Sequence, residues 1–221
     1  MLETIDIETA PRPDAAIIWL HGLGADAHDF EPVVPEIVGP GAGGPAWRFV
    51  FPNAPVRPVT LNSGLPMRAW YDIKSLERGS AEDLQGFEES FRQIGELIER
   101  EGRRGIAPAR VVLAGFSQGG AVSLYTLVRQ SHTLAGVMAL SCYLPAARTL
   151  AADKQAANQA TPVFMAHGQF DPVIAAAIGQ QSCAMLKAQG YPVSWHEYPM
   201  AHSVCAEEIA DIRQFLFRVL A

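Results

Sequence analysis

Cysteine is scarce: three among 221 residues, Cys142, Cys183 and Cys205, an odd number with no C-x-x-C pair. That argues against a disulfide framework or a zinc knuckle, and all three read as reduced thiols. Long hydrophobic runs are missing too, since none reaches the ~18 residues needed to span a bilayer. The start, "MLETIDIETAPRPD", has no positive region followed by an apolar one, as an export signal would. The expected location is the cytoplasm, with no membrane span. Positive charge is short, 17 Lys and Arg against 23 Asp and Glu for a net charge of −6, and no basic stripe gathers on one element. Nucleic acid is therefore not an expected partner. There is no internal repeat and no low-complexity linker; only "GPGAGGPA", residues 39–46, reads as a flexible surface turn.

What is present is an ordinary globular balance, 49% apolar and 18% charged. The length suits one domain, residues 1–221. Short apolar, β-branched-rich runs recur at residues 16–20, 47–51, 111–115, 135–140, 163–167 and 193–198, each between turn residues and longer helical stretches. Runs buried on both faces and separated by helices predict a mostly parallel, doubly wound α/β sheet flanked by helices. Residues 82–101 carry Leu84, Phe87, Phe91, Ile94, Leu97 and Ile98 at three- and four-residue steps, an amphipathic helix that reads as scaffold. Residues 118–129, 175–189 and 204–220 read as helices as well. Between the second strand and the amphipathic helix lies "FPNAPVRPVTLNSGLPMRAWYDI", a long, Pro-rich, apolar stretch with neither period. Such a loop in a compact domain is usually functional.

Gly115-Phe116-Ser117-Gln118-Gly119 is a G-x-S-x-G placed where an apolar strand meets an amphipathic helix, the context a nucleophile elbow requires. The alternative is a serine N-cap behind a packing glycine. A serine hydroxyl needs a base, and on this architecture the acid and then the histidine follow the serine in the chain. His202, in the loop "PMAHS" after the last strand, can reach over the sheet's carboxyl edge, whereas His132 and His196 sit at a helix end and inside a strand. His167 precedes every plausible acid. Asp171, four residues past the strand-ending His167, is the expected acid; its competing role is a turn aspartate before Pro172.

The stretch "IIWLHGLGADAHDF" contains Gly22, Gly24 and Ala27 in a loose dinucleotide-binding spacing, but it fits an oxyanion loop equally well. A dinucleotide site also wants an acidic residue about 20 positions on, at the end of the next strand. The chain there reads "FVFPNAP", so no cofactor is expected. Leu23 N–H, with Gln118 N–H, is then the expected oxyanion hole, and His21 braces the loop. No metal site is expected: His21 and His28 are seven apart, and "WHEYPMAH" is not H-E-x-x-H.

These residues resemble the phospholipase/carboxylesterase family of small α/β-hydrolases, which includes acyl-protein thioesterases. The resemblance rests on "HGLGADAHDF", "FPNAPVRPVTLN", "MRAWYDI", "GFSQGGAVSLYT", "LSCYLP", "HGQFDPVI" and "AHSVCAEE", in that order over about residues 17 to 213. It implies an α/β-hydrolase fold with no large cap domain, and matches Ser117, Asp171 and His202 to the catalytic positions and Leu23 and Gln118 to the oxyanion hole. It also matches Leu65, Met67, Trp70, Tyr143 and Val173 to an acyl site, although these also suit ordinary packing.

The expected activity is a cofactor-free serine carboxylic-ester hydrolase working through an acyl-enzyme. Its substrates would be short- to medium-chain acyl esters, acyl thioesters or lysophospholipids, so its partner is a small acyl ester or an acylated protein. A monomer or homodimer is expected. The rival readings are a catalytically silent binding protein, or a serine peptidase or lipase on the same fold.

Overall fold

The apolar runs become strands because they are covered on both faces. The computed structural model describes residues 1–39, 44–75 and 81–221. Its strands are β1 (Thr4–Glu8), β2 (Ala15–Leu20), β3 (Trp47–Pro52), β4 (Val56–Pro58), β5 (Pro66–Arg68), β6 (Val111–Phe116), β7 (Gly136–Leu140), β8 (Val163–Gly168) and β9 (Val193–Tyr198). Its α-helices are α1 (Val34–Val38), α2 (Leu84–Arg103), α3 (Gln118–Arg129), α4 (Leu150–Asp153), α5 (Ala176–Ala188) and α6 (Ala206–Val219). Seven strands form one sheet in the order β1-β3-β2-β6-β7-β8-β9, while β4 and β5 pair separately. Only β1 runs antiparallel in the large sheet. The fold is thus the mostly parallel, helix-flanked sheet that the sequence implied.

Side chains alternate across each strand, and the alternation builds two cores. Ala16, Ile18 and Leu20 of β2 join Leu97 of α2, Leu124 of α3 and Leu186 of α5 on one face. Ala15, Ile17 and Trp19 join Ile37 of α1 and Phe215 of α6 on the other. The six expected strands and four expected helices are all present, with ends moved by a few residues. The last helix starts at Ala206, not 204, because Cys205 is extended and occupies the N-cap.

Three strands, β1, β4 and β5, were not expected from the sequence. The edge strand β1 alternates Ile5 and Ile7, which pack against the core, with Asp6 and Glu8, which face arginines. The charged residues hid a strand that is covered on one face only. Arg100 of α2 reaches Asp6, and the fully enclosed Glu101 accepts a 2.7 Å hydrogen bond from Arg48 of β3, tying α2 to the same edge. The Pro-rich stretch read as irregular contains the short β4–β5 ribbon, paired from Val56↔Arg68 to Pro58↔Pro66. The short helix α1 precedes the expected surface turn, of which residues 40–43 lie outside the described residues. Because β2, β6, β7, β8 and β9 run parallel, the segments that follow them emerge at one edge of the sheet, and the candidate residues gather there.

Candidate active site

Ser117 sits between β6 and α3 with φ 54° and ψ −115°, a conformation side-chain-bearing residues rarely adopt. Its amide donates to Leu140 O of the neighbouring strand at 2.8 Å, which fixes the turn to the sheet. The turn is too tight for side chains around it. A Cβ on Gly115 would lie 2.2 Å from the Gly119 backbone, and one on Gly119 would lie 2.4 Å from Leu20 O. The G-x-S-x-G pattern is thus a steric requirement of the turn that holds Ser117 up.

Two loops from distant parts of the chain meet this hydroxyl. His202, after β9, places Nε2 2.9 Å from Ser117 Oγ. Its Nδ1 lies 2.6 Å from Oδ2 of Asp171, after β8. The other carboxylate oxygen, Oδ1, accepts hydrogen bonds from Val173 N at 2.8 Å and Ile174 N at 2.9 Å. The Asp171 side chain is fully enclosed. A carboxylate held on both oxygens cannot rotate away from the imidazole, so the ring carries its proton on Nδ1 and turns its Nε2 lone pair to the serine. The structure therefore brings Ser117, His202 and Asp171 into one hydrogen-bonded line, while His132 and His196 lie elsewhere. His196 stacks on Phe164 at 4.5 Å between ring centres.

The His21–Gly24 loop closes the other side. The ideal Cβ position of Gly22 is 3.5 Å from Ser117 Cβ, so this backbone lies directly against Ser117. His21 is spent on architecture: its Nδ1–H donates to Gly22 O at 2.7 Å, and its Nε2 accepts from Ala54 N at 3.1 Å. Burial holds its pKa below the usual imidazole range, which keeps the ring neutral in that role. Among the described residues, no acceptor is bonded to the Leu23 amide or to the Gln118 amide. The latter opens α3, where first-turn N–H groups have no helical partner and the helix dipole favours negative charge.

The Gln118 side chain has a second task that the sequence did not disclose. Its Oε1 accepts from Trp70 N at 2.8 Å and its Nε2 donates to Tyr71 O at 2.7 Å, so the residue after Ser117 clamps the segment following β5. The glutamine in the motif was the one available signal. Trp70 itself corrects the expectation of an acyl contact. It is fully buried, its Nε1 donates to His21 O at 2.9 Å, and its carbonyl accepts from Ser90 Oγ at 2.6 Å. With no surface open, it supports the His21–Gly24 loop from behind.

The other four expected acyl-site residues are open to different degrees. Leu65 is 60% and Val173 51% exposed, and Phe170, next to Asp171 in the chain, is 68% exposed. Met67 and Tyr143 are half-buried. Met67 reaches the His21–Gly24 loop, where Gly24 N also donates to Arg68 O at 2.9 Å, and the Tyr143 hydroxyl meets that of Tyr71 at 3.2 Å. The structure thus sets Met67 against the Leu23 loop and Val173 against Asp171. Large apolar side chains that stay exposed beside a polar cleft are what an apolar ligand would cover.

Residues 4–220 match the family model described as Phospholipase/Carboxylesterase. The chain belongs to that family. Among its relatives in the phospholipase/carboxylesterase family, acyl-protein thioesterase 1 of Mycosarcoma maydis is 38% identical over 231 residues, covering 98% of this chain and 95% of the relative. Among solved structures, Zea mays acyl-protein thioesterase 2 superposes with a TM-score of 0.87 at 28% identity, with all of both chains covered. SOBER1 of Arabidopsis thaliana gives 0.86 at 30% identity over 94% of this chain and 99% of its own. The fold of this family member is accordingly the α/β-hydrolase fold.

Proposed function

We propose that this chain is a serine hydrolase of acyl esters and thioesters, with Ser117 as nucleophile, His202 as base and Asp171 as the acid that orients it. The observation that carries the reading is the unbroken line from Asp171 Oδ2 through His202 to Ser117 Oγ, with contacts of 2.6 and 2.9 Å. Ser117 Oγ attacks the acyl carbon while His202 Nε2 takes its proton. The carbonyl oxygen, now negative, is held by the Leu23 and Gln118 amides. His202 then gives the proton to the leaving alkoxide or thiolate as the acyl bond breaks, leaving an ester on Ser117. Water, deprotonated by the same ring, repeats the sequence and frees the acid. No cofactor or metal enters this scheme.

The substrate is a small acyl ester of short to medium chain, an acyl thioester including an acylated protein, or a lysophospholipid. The names of the thioesterase relatives support the thioester arm, and the exposed Leu65, Val173 and Phe170 support an apolar acyl group. We further propose that residues 1–221 act as one domain, a monomer or homodimer, in the cytoplasm. The unpaired thiols Cys142, Cys183 and Cys205 agree with a reducing compartment. No helix among the described residues is long and apolar enough to cross a membrane.

A fluorophosphonate probe is expected to label the wild-type protein and not Ser117→Ala; labelling of the variant would overturn the assignment. Asp171→Asn is expected to cut kcat by roughly 10⁴-fold with the fold intact, because asparagine stabilises the wrong imidazole tautomer. Near-normal turnover would move the acid elsewhere. A panel of esters, thioesters and anilides of graded chain length separates this reading from peptidase or silent-binder alternatives.

A further inference from the structure

A second imidazole stands on the far side of Asp171. His167, the penultimate residue of β8, has a side chain only 1% exposed. Its Nε2 is 2.8 Å from Ile174 O and 3.3 Å from Asp171 Oδ2, the same oxygen that receives His202. A carbonyl can only accept, so Nε2 carries the proton and the tautomer is fixed. Ile174 meanwhile donates its own N–H to Asp171 Oδ1. One residue, Ile174, thus joins His167 and the acid through its two backbone groups.

The other ring nitrogen is an anomaly. Nδ1 is buried and has no hydrogen-bond partner among the described residues. It faces Gly179 of α5, where an added Cβ would come within 2.5 Å, and the ring stacks on Trp195 with centres 5.9 Å apart. An unpartnered buried nitrogen is destabilising, which an apolar side chain would avoid, so a reason for it is wanted. Protonating Nδ1 would place a donor where nothing accepts. The charged and titratable groups facing the ring are Asp171, His202 and Glu197, and Glu197 is already engaged by Trp195 Nε1 at 2.9 Å and by Gln180. Burial outweighs the attraction of these carboxylates and holds the pKa of His167 below the usual imidazole range.

We propose that His167 is a positioning residue for the acid: it pins the turn from Asp171 to Ile174 and presents an uncharged N–H edge to the carboxylate oxygen that orients His202. A lysine or arginine there would pair with Asp171 and draw its charge away from His202, whereas an aliphatic residue would leave the Ile174 carbonyl unheld. The inference rests on the reading of Asp171 as the catalytic acid.

The test uses two full-length variants of nearly identical chemistry. The amide nitrogen of His167→Gln reaches the place of Nε2 and can donate to Ile174 O; that of His167→Asn falls short, at the place of Nδ1. On a short-chain ester, the Gln variant is expected to keep kcat near wild type, and the Asn variant to lose about tenfold or more, with KM little changed in both. The acid limb of the kcat/KM profile is expected to move to higher pH in the Asn variant only, because Oδ2 then loses the N–H edge that faces it and its charge acts more fully on His202. Equal kcat for the two variants, or a loss in Asn that follows its melting temperature with an unmoved pH profile, would overturn the proposal. Asp171→Asn assayed alongside separates the two readings. If that variant stays active, the acid assignment has failed; if it is inactive while Gln and Asn match, only the role of His167 has.

Discussion

Single residues in this site serve two masters, and Gln118 is the clearest. Its backbone N–H is the proposed donor to the substrate oxygen, while its side chain holds Trp70 N and Tyr71 O. Gln118→Leu leaves the backbone amide in place but orphans two buried groups, at about 1–3 kcal/mol each. We expect a lowered melting temperature together with a lowered kcat; loss of neither would show that the segment is held by other means. That Ser117, Asp171 and His202 come together was legible in the sequence because each follows a different apolar run closely, and parallel strands deliver such positions to one edge. Trp70 was not legible as a buried support. Its partners, His21, Ser90 and Gln118, come from three remote segments that no local pattern connects. His167 was read only as the end of a strand, since its meaning depends on Ile174 and Gly179 folding back upon it.

At the scale of elements, the central strands and long helices were legible because their periods are regular and their burial complete. What escaped was half-covered or proline-broken. β1 has clean alternation but exposes its charged face, and β4 and β5 are three-residue strands carrying Pro58 and Pro66. The β4–β5 ribbon nonetheless has an open apolar tip, with Leu65 at its turn and Met67 against Gly24. If this ribbon covers the acyl chain, Leu65→Ala with Met67→Ala removes contact worth about 0.8 kcal/mol per methylene-sized group. An ester of about eight carbons is then expected to lose on the order of tenfold in kcat/KM, equivalent to ~1.4 kcal/mol, while an acetate ester keeps its value. An equal loss on both esters, accompanied by a lower melting temperature, would make the ribbon a structural brace.

At the scale of the whole molecule, the carboxyl of Glu208 opposes stability at neutral pH. Glu208, in the first turn of α6, is fully enclosed, and burial raises its pKa to about 8, with the Cys205 amide pulling the other way. The folded protein therefore holds this proton at pH values where the unfolded chain, near the ordinary 4.5, releases it. Such a group favours folding most below the unfolded value and loses that advantage as pH climbs toward the folded one, by up to about 1.4 kcal/mol per pH unit. Glu208→Gln removes the dependence. Melting curves between pH 5 and 8 are expected to show the wild type falling progressively behind the variant, and the gap levelling off above pH 8. A constant gap would mean that Glu208 finds an unseen ionised partner.

The sheet order also has a consequence during synthesis. β2 lies between β3 and β6, so Ala16 pairs with residue 111, a separation of 95 positions. At about 5–20 residues per second, a ribosome takes roughly 5–20 s to cover that distance. For this time a strand made of Ala, Ile, Trp and Leu, destined for the centre of the sheet, leaves one flank unclaimed. The hydroxyl of Ser117 then waits a further 85 positions for its base. The newborn chain is thus sticky before it is reactive, and its risk from other half-made chains is over before it can attack an ester.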